Sequence, residues 1–301
     1  MAFVPSYISL HEKGELSQRI QLLKEFIKEC RLCPRECGVN RLDGEVGVCQ
    51  AGSEFMVSSA FPHFGEEPPL VGHHGSGTIF LAYCNLRCIF CQNHDISHLG
   101  RGERITSSDM AQIMVRLQEI GCHNINFVTP THYVPQIAAS LPEAIEKGLR
   151  LPIVYNCSGY ESIEVIRLME GIVDIYMPDA KYMDEKHSKR FSNAPDYPEV
   201  IKKVLKEMYR QVGDLNTNSK GIAERGLLIR HLVMPNGVAS SEPVLRFIAE
   251  EISVHSYVNI MDQYRPEYRA HEYPEINRRI THKEYLEAIQ LAKRYRLYRG
   301  F

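Results

Sequence analysis

The sequence predicts an α/β fold: a partial (β/α)6 TIM-like barrel with a small N-terminal cysteine-rich metal-binding segment. Three observations carry this reading. From residue 78 onward, short apolar runs alternate with amphipathic stretches of helical period. Six such strand–helix units in series imply a parallel sheet joined by right-handed crossovers. Seven of the nine cysteines fall into two tight groups, one ahead of the alternating region and one just inside it.

The elements follow in chain order. Residues 1–53 form an N-terminal helix and a four-cysteine segment. Leu16, Ile20, Leu23, Phe26 and Ile27 make one helical stripe within 1–29, and residues 30–53 are dense in Cys, Gly, Pro and Arg with little periodicity. Such a composition suits a metal-stapled knob better than a packed layer. Residues 54–76, rich in Pro, Gly and His, read as a lead-in loop. Residues 77–301 are the barrel, with strands expected at 78–83, 124–129, 153–156, 173–177, 227–234 and 257–261. Helices are expected at 107–120, 134–148, 161–170, 197–212, 241–253 and 282–296. Ser107 and Ser108 are placed to cap the first of them, and Gly121 and Gly148 to stop the first and second. Eight units would close a standard barrel. Six leave it open on one side.

Composition narrows the function classes. Apolar residues at 44% and charged residues at 24% are ordinary for a globular enzyme. No run approaches the roughly 18 apolar residues of a membrane span. The first residues lack a basic stretch followed by an apolar core, so no secretory leader and a cytoplasmic location are expected. A net charge of −2 gives no electrostatic case for nucleic acid. In that setting, clustered cysteines read as thiolates around metal rather than a disulfide framework. Cys122 and Cys157 stand apart and read as small buried hydrophobes.

The second group lies in GTIFLAYCNLRCIFCQNHDIS. An apolar strand delivers Cys84 at its C-terminal end, and Cys88 and Cys91 follow on the loop. Parallel α/β folds build their active sites at that edge. The spacing C-x3-C-x2-C lets one loop set three thiolates around one iron–sulfur cluster, which usually takes four. A fourth iron without a protein thiolate leaves an open position, the mark of a catalytic metal site. Zinc prefers paired C-x2-C ligands and fits this spacing poorly.

CNLRCIFCQN resembles the signature of the radical S-adenosylmethionine superfamily, including the aromatic Phe90 before the third cysteine. Over roughly residues 65–265 the chain is most similar to pyruvate formate-lyase activating enzyme and its uncharacterised relatives. The resemblance implies a [4Fe-4S] cluster on Cys84, Cys88 and Cys91 whose open iron binds S-adenosyl-L-methionine. One electron, from flavodoxin or ferredoxin, then cleaves the cofactor to a 5′-deoxyadenosyl radical that abstracts a substrate hydrogen atom. By the same resemblance the substrate is a glycyl radical enzyme, which makes the chain an activase, or else a small molecule.

The other strand ends take roles from the same resemblance. Thr129 and Thr131, in NFVTPTHY, stand where many relatives hold the cofactor's amino group on a glycine-rich backbone. Asn156 and Ser158, in YNCSGY, are short hydrogen-bonding side chains suited to a ribose or a carboxylate. Asp179 and Lys181, in MPDAK, match the activating enzymes' Met-x-Asp-x-Lys segment, with Lys181 on the cofactor carboxylate. Arg230 lies inside an apolar strand and needs a partner, since a buried unpaired charge is expensive. That partner is either the cofactor or a structural acid. Gln263 occupies a cofactor-contacting polar position.

Cys30, Cys33, Cys37 and Cys49 are spaced C-x2-C-x3-C-x11-C. Four thiolates within twenty residues close a metal site unaided, and zinc or a second iron–sulfur cluster fits equally. The competing class is a non-catalytic iron–sulfur protein for electron transfer or redox sensing. Such a protein would need neither a cofactor-sized cleft nor the Asp179–Lys181 pair.

Overall fold

The computed structural model describes residues 3–301. Nine strands are formed: β1 (Phe55–His63), β2 (Ser76–Leu81), β3 (Glu103–Ile105), β4 (Ile125–Val128), β5 (Ile153–Cys157), β6 (Ile175–Pro178), β7 (Asn216–Thr217), β8 (Ala223–Leu232) and β9 (Tyr257–Met261). Six of them, in the order β2-β4-β5-β6-β8-β9, are parallel neighbours, each joined to the next by a helical crossover. They are the six predicted barrel strands, and all six C-terminal ends point to one edge.

Alternation along the strands separates two apolar layers. Val154 and Ile175 join Met177, Leu228 and Leu70 in a small cluster on the inner face. Ile153, Tyr155, Tyr176 and Leu227 face outward into the main core with the helices. Leu70 comes from a short turn, Pro68–Val71, and Asn124 Nδ2 donates to its carbonyl at 2.9 Å.

Several expectations are corrected. The lead-in is not a loop: residues 55–63 form β1, antiparallel to β2 and flanked by β3. Phe55 and Val57 bury one face of it, a strand alternation masked by the Pro, Gly and His that follow. The N-terminal stripe is two helices, Ser6–Glu12 and Glu15–Glu25, because Gly14 takes a left-handed φ of 74° between them. The cap of helix Ser107–Ile120 is Thr106, which forms a reciprocal capping box with Asp109; Ser107 and Ser108 lie inside the helix. The fifth predicted helix ends at Phe247 and continues as a π turn, Ile248–Ile252. Helix Glu185–Ser192 was not predicted.

Asp174 fixes the N-terminal helices beneath the barrel. Its Oδ1 accepts the backbone N–H of Ser6 at 2.9 Å, and Oδ2 that of Ile153 at 3.2 Å. Tyr7 donates to the carbonyl of Leu151 at 2.8 Å. Asp174→Ala leaves two shielded donors unpaired, and the expected loss is about 2–4 kcal/mol of stability. Anaerobic urea denaturation of wild type and variant measures it. A change under about 0.5 kcal/mol, the usual range for a surface site, would remove Asp174 from this role.

Candidate active site

The chain after β2 turns sharply. Tyr83 and Arg87 adopt left-handed φ values of 71° and 52°, curling the segment around its own sulfurs. The backbone N–H of Leu86 donates to Cys84 Sγ at 3.4 Å. Ser192 Oγ donates to Cys88 Sγ at 3.1 Å, and Ser97 Oγ lies 3.1 Å from Cys91 Sγ. His98 bonds the Cys88 carbonyl at 3.1 Å, and Phe90 packs between Tyr182 and Tyr264. Burial pushes the Cys84 thiol up to about 12 and also raises Cys88. These sulfurs ionise only against a counter-charge, which a metal centre supplies. Among the described residues no three potential ligands converge on a single ion. The three cysteines instead border a common space, as a cluster with one thiolate per iron requires.

That space is a cavity of about 410 Å³ at the C-terminal edge of the parallel strands. Besides the three cysteines it is lined by Thr129, Asn156, Ser158, Asp179, Lys181, Arg230 and Gln263. Asp179 holds its charged residues together, accepting from Lys181 Nζ at 2.5 Å and from Arg230 Nε at 2.8 Å. Arg230 Nη2 donates to Asn156 Oδ1 at 2.7 Å. Burial alone would raise the Asp179 carboxyl, but Arg230 and then Lys181 overcome it and hold the carboxyl below its usual range. The structural acid expected for Arg230 is therefore Asp179, and Lys181 is engaged by the same carboxylate. Ser158 Oγ is buried in the wall without a hydrogen-bond partner, so it is free to meet a polar ligand atom.

Thr131 is placed elsewhere. It is fully buried, donates to Glu161 at 2.8 Å and does not border the cavity. The chain passes Thr129 with a left-handed φ of 59° and turns Thr131 into the outer core. Sequence reading missed Ser97 and Ser192. Ser192 reaches Cys88 from a helix more than a hundred residues away, and no local pattern signals that contact. Glu66 also lines the cavity, 3.8 Å from Arg230 and 3.6 Å from His63. Burial raises its carboxyl to about 7 against the pull of Arg230, with Glu67 adding to the rise.

The first cysteine group encloses a small void of about 10 Å³, lined by Cys30, Cys33, Cys37 and Cys49 together with Arg35, Arg41 and His132. The backbone N–H of Val48 donates to Cys37 Sγ at 3.4 Å. Cys33 and Cys49 are raised, chiefly by burial. All nine cysteines are free thiols.

Comparison with known proteins places the barrel. A family model described as the radical SAM superfamily matches residues 78–219. An uncharacterized protein from Methanocaldococcus jannaschii is 35% identical over 292 residues, covering 94% of this chain and 79% of that protein. A crystal structure of a radical SAM methyltransferase from Sphaerobacter thermophilus superposes with a TM-score of 0.46 at 14% identity, covering 72% of this chain and 64% of that one.

Behind the cavity wall, Glu161 is buried and accepts from Thr131 at 2.8 Å and Tyr155 at 2.9 Å. Burial outweighs those bonds and raises its carboxyl to about 7. A raised folded value means the group stabilises most below its unfolded value near 4.5, and that contribution fades as pH climbs to about 7. Glu161→Gln should therefore flatten the stability decline between pH 4.5 and 7 by on the order of 3 kcal/mol. Denaturation midpoints of the two proteins at pH 5 and pH 8 test this; parallel declines would show Glu161 ionised throughout.

Proposed function

The chain belongs to the radical SAM superfamily, and from that premise we propose that it is a glycyl-radical activase-type enzyme, taking a hydrogen atom from a partner polypeptide. The observation that supports it is the single cavity shared by Cys84, Cys88 and Cys91 with the polar set Asn156, Ser158, Asp179, Lys181 and Arg230. When bound, the cluster supplies one electron that splits S-adenosylmethionine into methionine and a 5′-deoxyadenosyl radical, which takes the substrate hydrogen.

The chain's own residues do the rest. Cys84, Cys88 and Cys91 hold the cluster at the strand edge, with Ser97 and Ser192 hydrogen-bonding to the sulfurs. Asp179 orients Lys181 and Arg230, leaving unused N–H donors for the cofactor carboxylate. Asn156 and Ser158 offer hydrogen bonds to its ribose. Phe90, Leu232, Met261 and Tyr264 supply the apolar wall that excludes water.

The polypeptide substrate rests on size. A cavity of about 410 Å³ lies near the lower end for one drug-sized ligand, so the cofactor occupies it. Two outer hollows of about 530 and 440 Å³ meet it at Met261, Gln263 and Tyr264, on the open side of the barrel. An extended segment has room to approach there. An electron donor of the flavodoxin or ferredoxin kind is part of the same reading. So is a second metal, zinc or iron–sulfur, on Cys30, Cys33, Cys37 and Cys49.

Anaerobic reconstitution with iron and sulfide, reduction and addition of S-adenosylmethionine should yield 5′-deoxyadenosine. Cys88→Ala should lower the yield at least a hundredfold, whereas Cys33→Ala should lose metal and thermal stability first. Reconstituted wild type with an intact cluster but no 5′-deoxyadenosine would instead support an electron carrier. Incubation with a glycyl radical enzyme should produce a glycyl radical signal in electron paramagnetic resonance; cofactor cleavage without that signal would turn the search to small molecules.

A further inference from the structure

Arg35 belongs to both cysteine groups. It lies between Cys33 and Cys37 in the chain and lines the four-cysteine void. Its side chain leaves that segment and ends on the catalytic loop. Nε donates to the carbonyl of Asn85 at 3.1 Å, and Nη2 to those of Leu86 at 3.3 Å and Ser192 at 2.8 Å. Nη1 donates to the carbonyl of Asn193. The guanidinium also stacks over Tyr160, 5.1 Å from the ring centroid. Asn85 and Leu86 are residues of the span between Cys84 and Cys88, and Ser192 is the residue whose hydroxyl reaches Cys88 Sγ.

This is an unusual use of an arginine. Four carbonyl oxygens hold the fork, and no carboxylate lies within ion-pair distance among the described residues. Four charge-assisted bonds fix the peptides that set where Cys84 and Cys88 stand. The unneutralised charge also sits beside a loop that carries thiolates when loaded, and nearby charge and hydrogen bonds tune an iron–sulfur potential. His132 makes a second tie. It lines the four-cysteine void, and its Nε2 bonds the carbonyl of Ala82, two residues before Cys84, at 2.9 Å. Burial drives its imidazole down to about 3, so the ring is neutral, and Nδ1 is buried without a partner.

We propose that the N-terminal four-cysteine centre is a metal-dependent latch on the catalytic cysteine loop, and that Arg35 is the positioning residue that transmits it. The inference rests on the reading that Cys30, Cys33, Cys37 and Cys49 bind metal. Loading that centre fixes the Cys33–Cys37 turn. The turn aims the guanidinium, and the guanidinium fixes the carbonyls of Asn85, Leu86 and Ser192. A latched loop holds the three catalytic thiolates in one geometry and raises the cluster's potential through the added positive charge.

The test uses the full chain, reconstituted anaerobically, with three readouts: metal content, the midpoint potential of the S-adenosylmethionine-responsive paramagnetic signal, and 5′-deoxyadenosine yield. Metal content of the Cys84→Ala/Cys88→Ala/Cys91→Ala variant decides the underlying reading alone, since no metal there means no N-terminal centre. Given that metal, Arg35→Gln should retain it while the midpoint of the catalytic signal falls and cleavage drops about tenfold. Arg35→Lys, which keeps the charge but not the fork, should recover the potential and only part of the rate. Cys33→Ala/Cys37→Ala should reproduce the Arg35→Gln shift, and combining the two should add nothing. An unchanged signal in Arg35→Gln, or shifts that add independently, would overturn the latch. Should the cysteine variant fail to fold, Arg35→Gln against Arg35→Lys still decides it, because a merely structural arginine would not divide potential from rate.

Discussion

The cavity depends on one buried carboxylate. Asp179 is gripped by Lys181 from two residues along its own chain and by Arg230 from β8. Between β6 and β8 the strand ladder is short, with Ile175 opposite Gly226 and Tyr176 opposite Leu227. The sheet's upper seam here is closed by the Asp179–Arg230 bridge and by the Ala180 N–H on the Arg230 carbonyl. Removing one member of such a set leaves an uncompensated buried charge, which typically costs about 3–5 kcal/mol. The same ion group is thus a seam in the barrel and a polar wall of the cavity. Those two demands explain why it stands at the strand ends, where water is excluded but a ligand can still arrive.

The parts of this arrangement that are local in the chain were legible. Six parallel strands follow from short apolar runs separated by helical stretches, and β9 was placed at 257–261 as found. The grouping of Cys84, Cys88 and Cys91 at one cavity was legible because a single loop carries them all, and that of Asp179 and Lys181 because alternation at a strand end points both the same way. Arg230 was flagged by the cost of a charge in an apolar strand, and the structure supplies its acid. What could not be read is contact across the chain. Ser192, Arg35 and Glu66 reach the site from a helix, a knob and a strand connection distant in sequence. Thr131 failed for a local reason: the left-handed turn at Thr129 reverses which residues face inward. β1 was hidden because its alternation is buried on one side only, and its last residues are Pro62 and His63.

The N-terminal region does more than extend the barrel. Its two helices are pinned beneath the sheet by Asp174 and by Arg19, whose guanidinium donates to the Leu168 carbonyl at 2.9 Å. Its cysteine segment crosses to the opposite side of the strand layer. Arg41, buried among the carbonyls of Gly52 and His132, anchors it there. One continuous segment of some fifty residues therefore runs from the foot of the barrel to the edge where the catalytic loop emerges. An open six-stranded barrel keeps sheet edges that a closed one abolishes, and this segment ties the foot of the strands to their C-terminal edge.

The two cysteine groups also share a conflict between burial and hydrogen bonding at sulfur. The main-chain N–H of Val48 is aimed at Cys37 and that of Leu86 at Cys84, a geometry that favours anionic sulfur. Burial acts the other way and keeps Cys33, Cys49, Cys84 and Cys88 protonated at neutral pH. Without a positive partner burial prevails, and the buried thiols hold their protons. A cluster on Cys84, Cys88 and Cys91 would supply that positive charge inside the low-dielectric site and take the place of the protons. Arg35, which lines the four-cysteine void, bonds the carbonyls of Asn85 and Leu86 in the second group's loop, so the two groups are joined through one side chain.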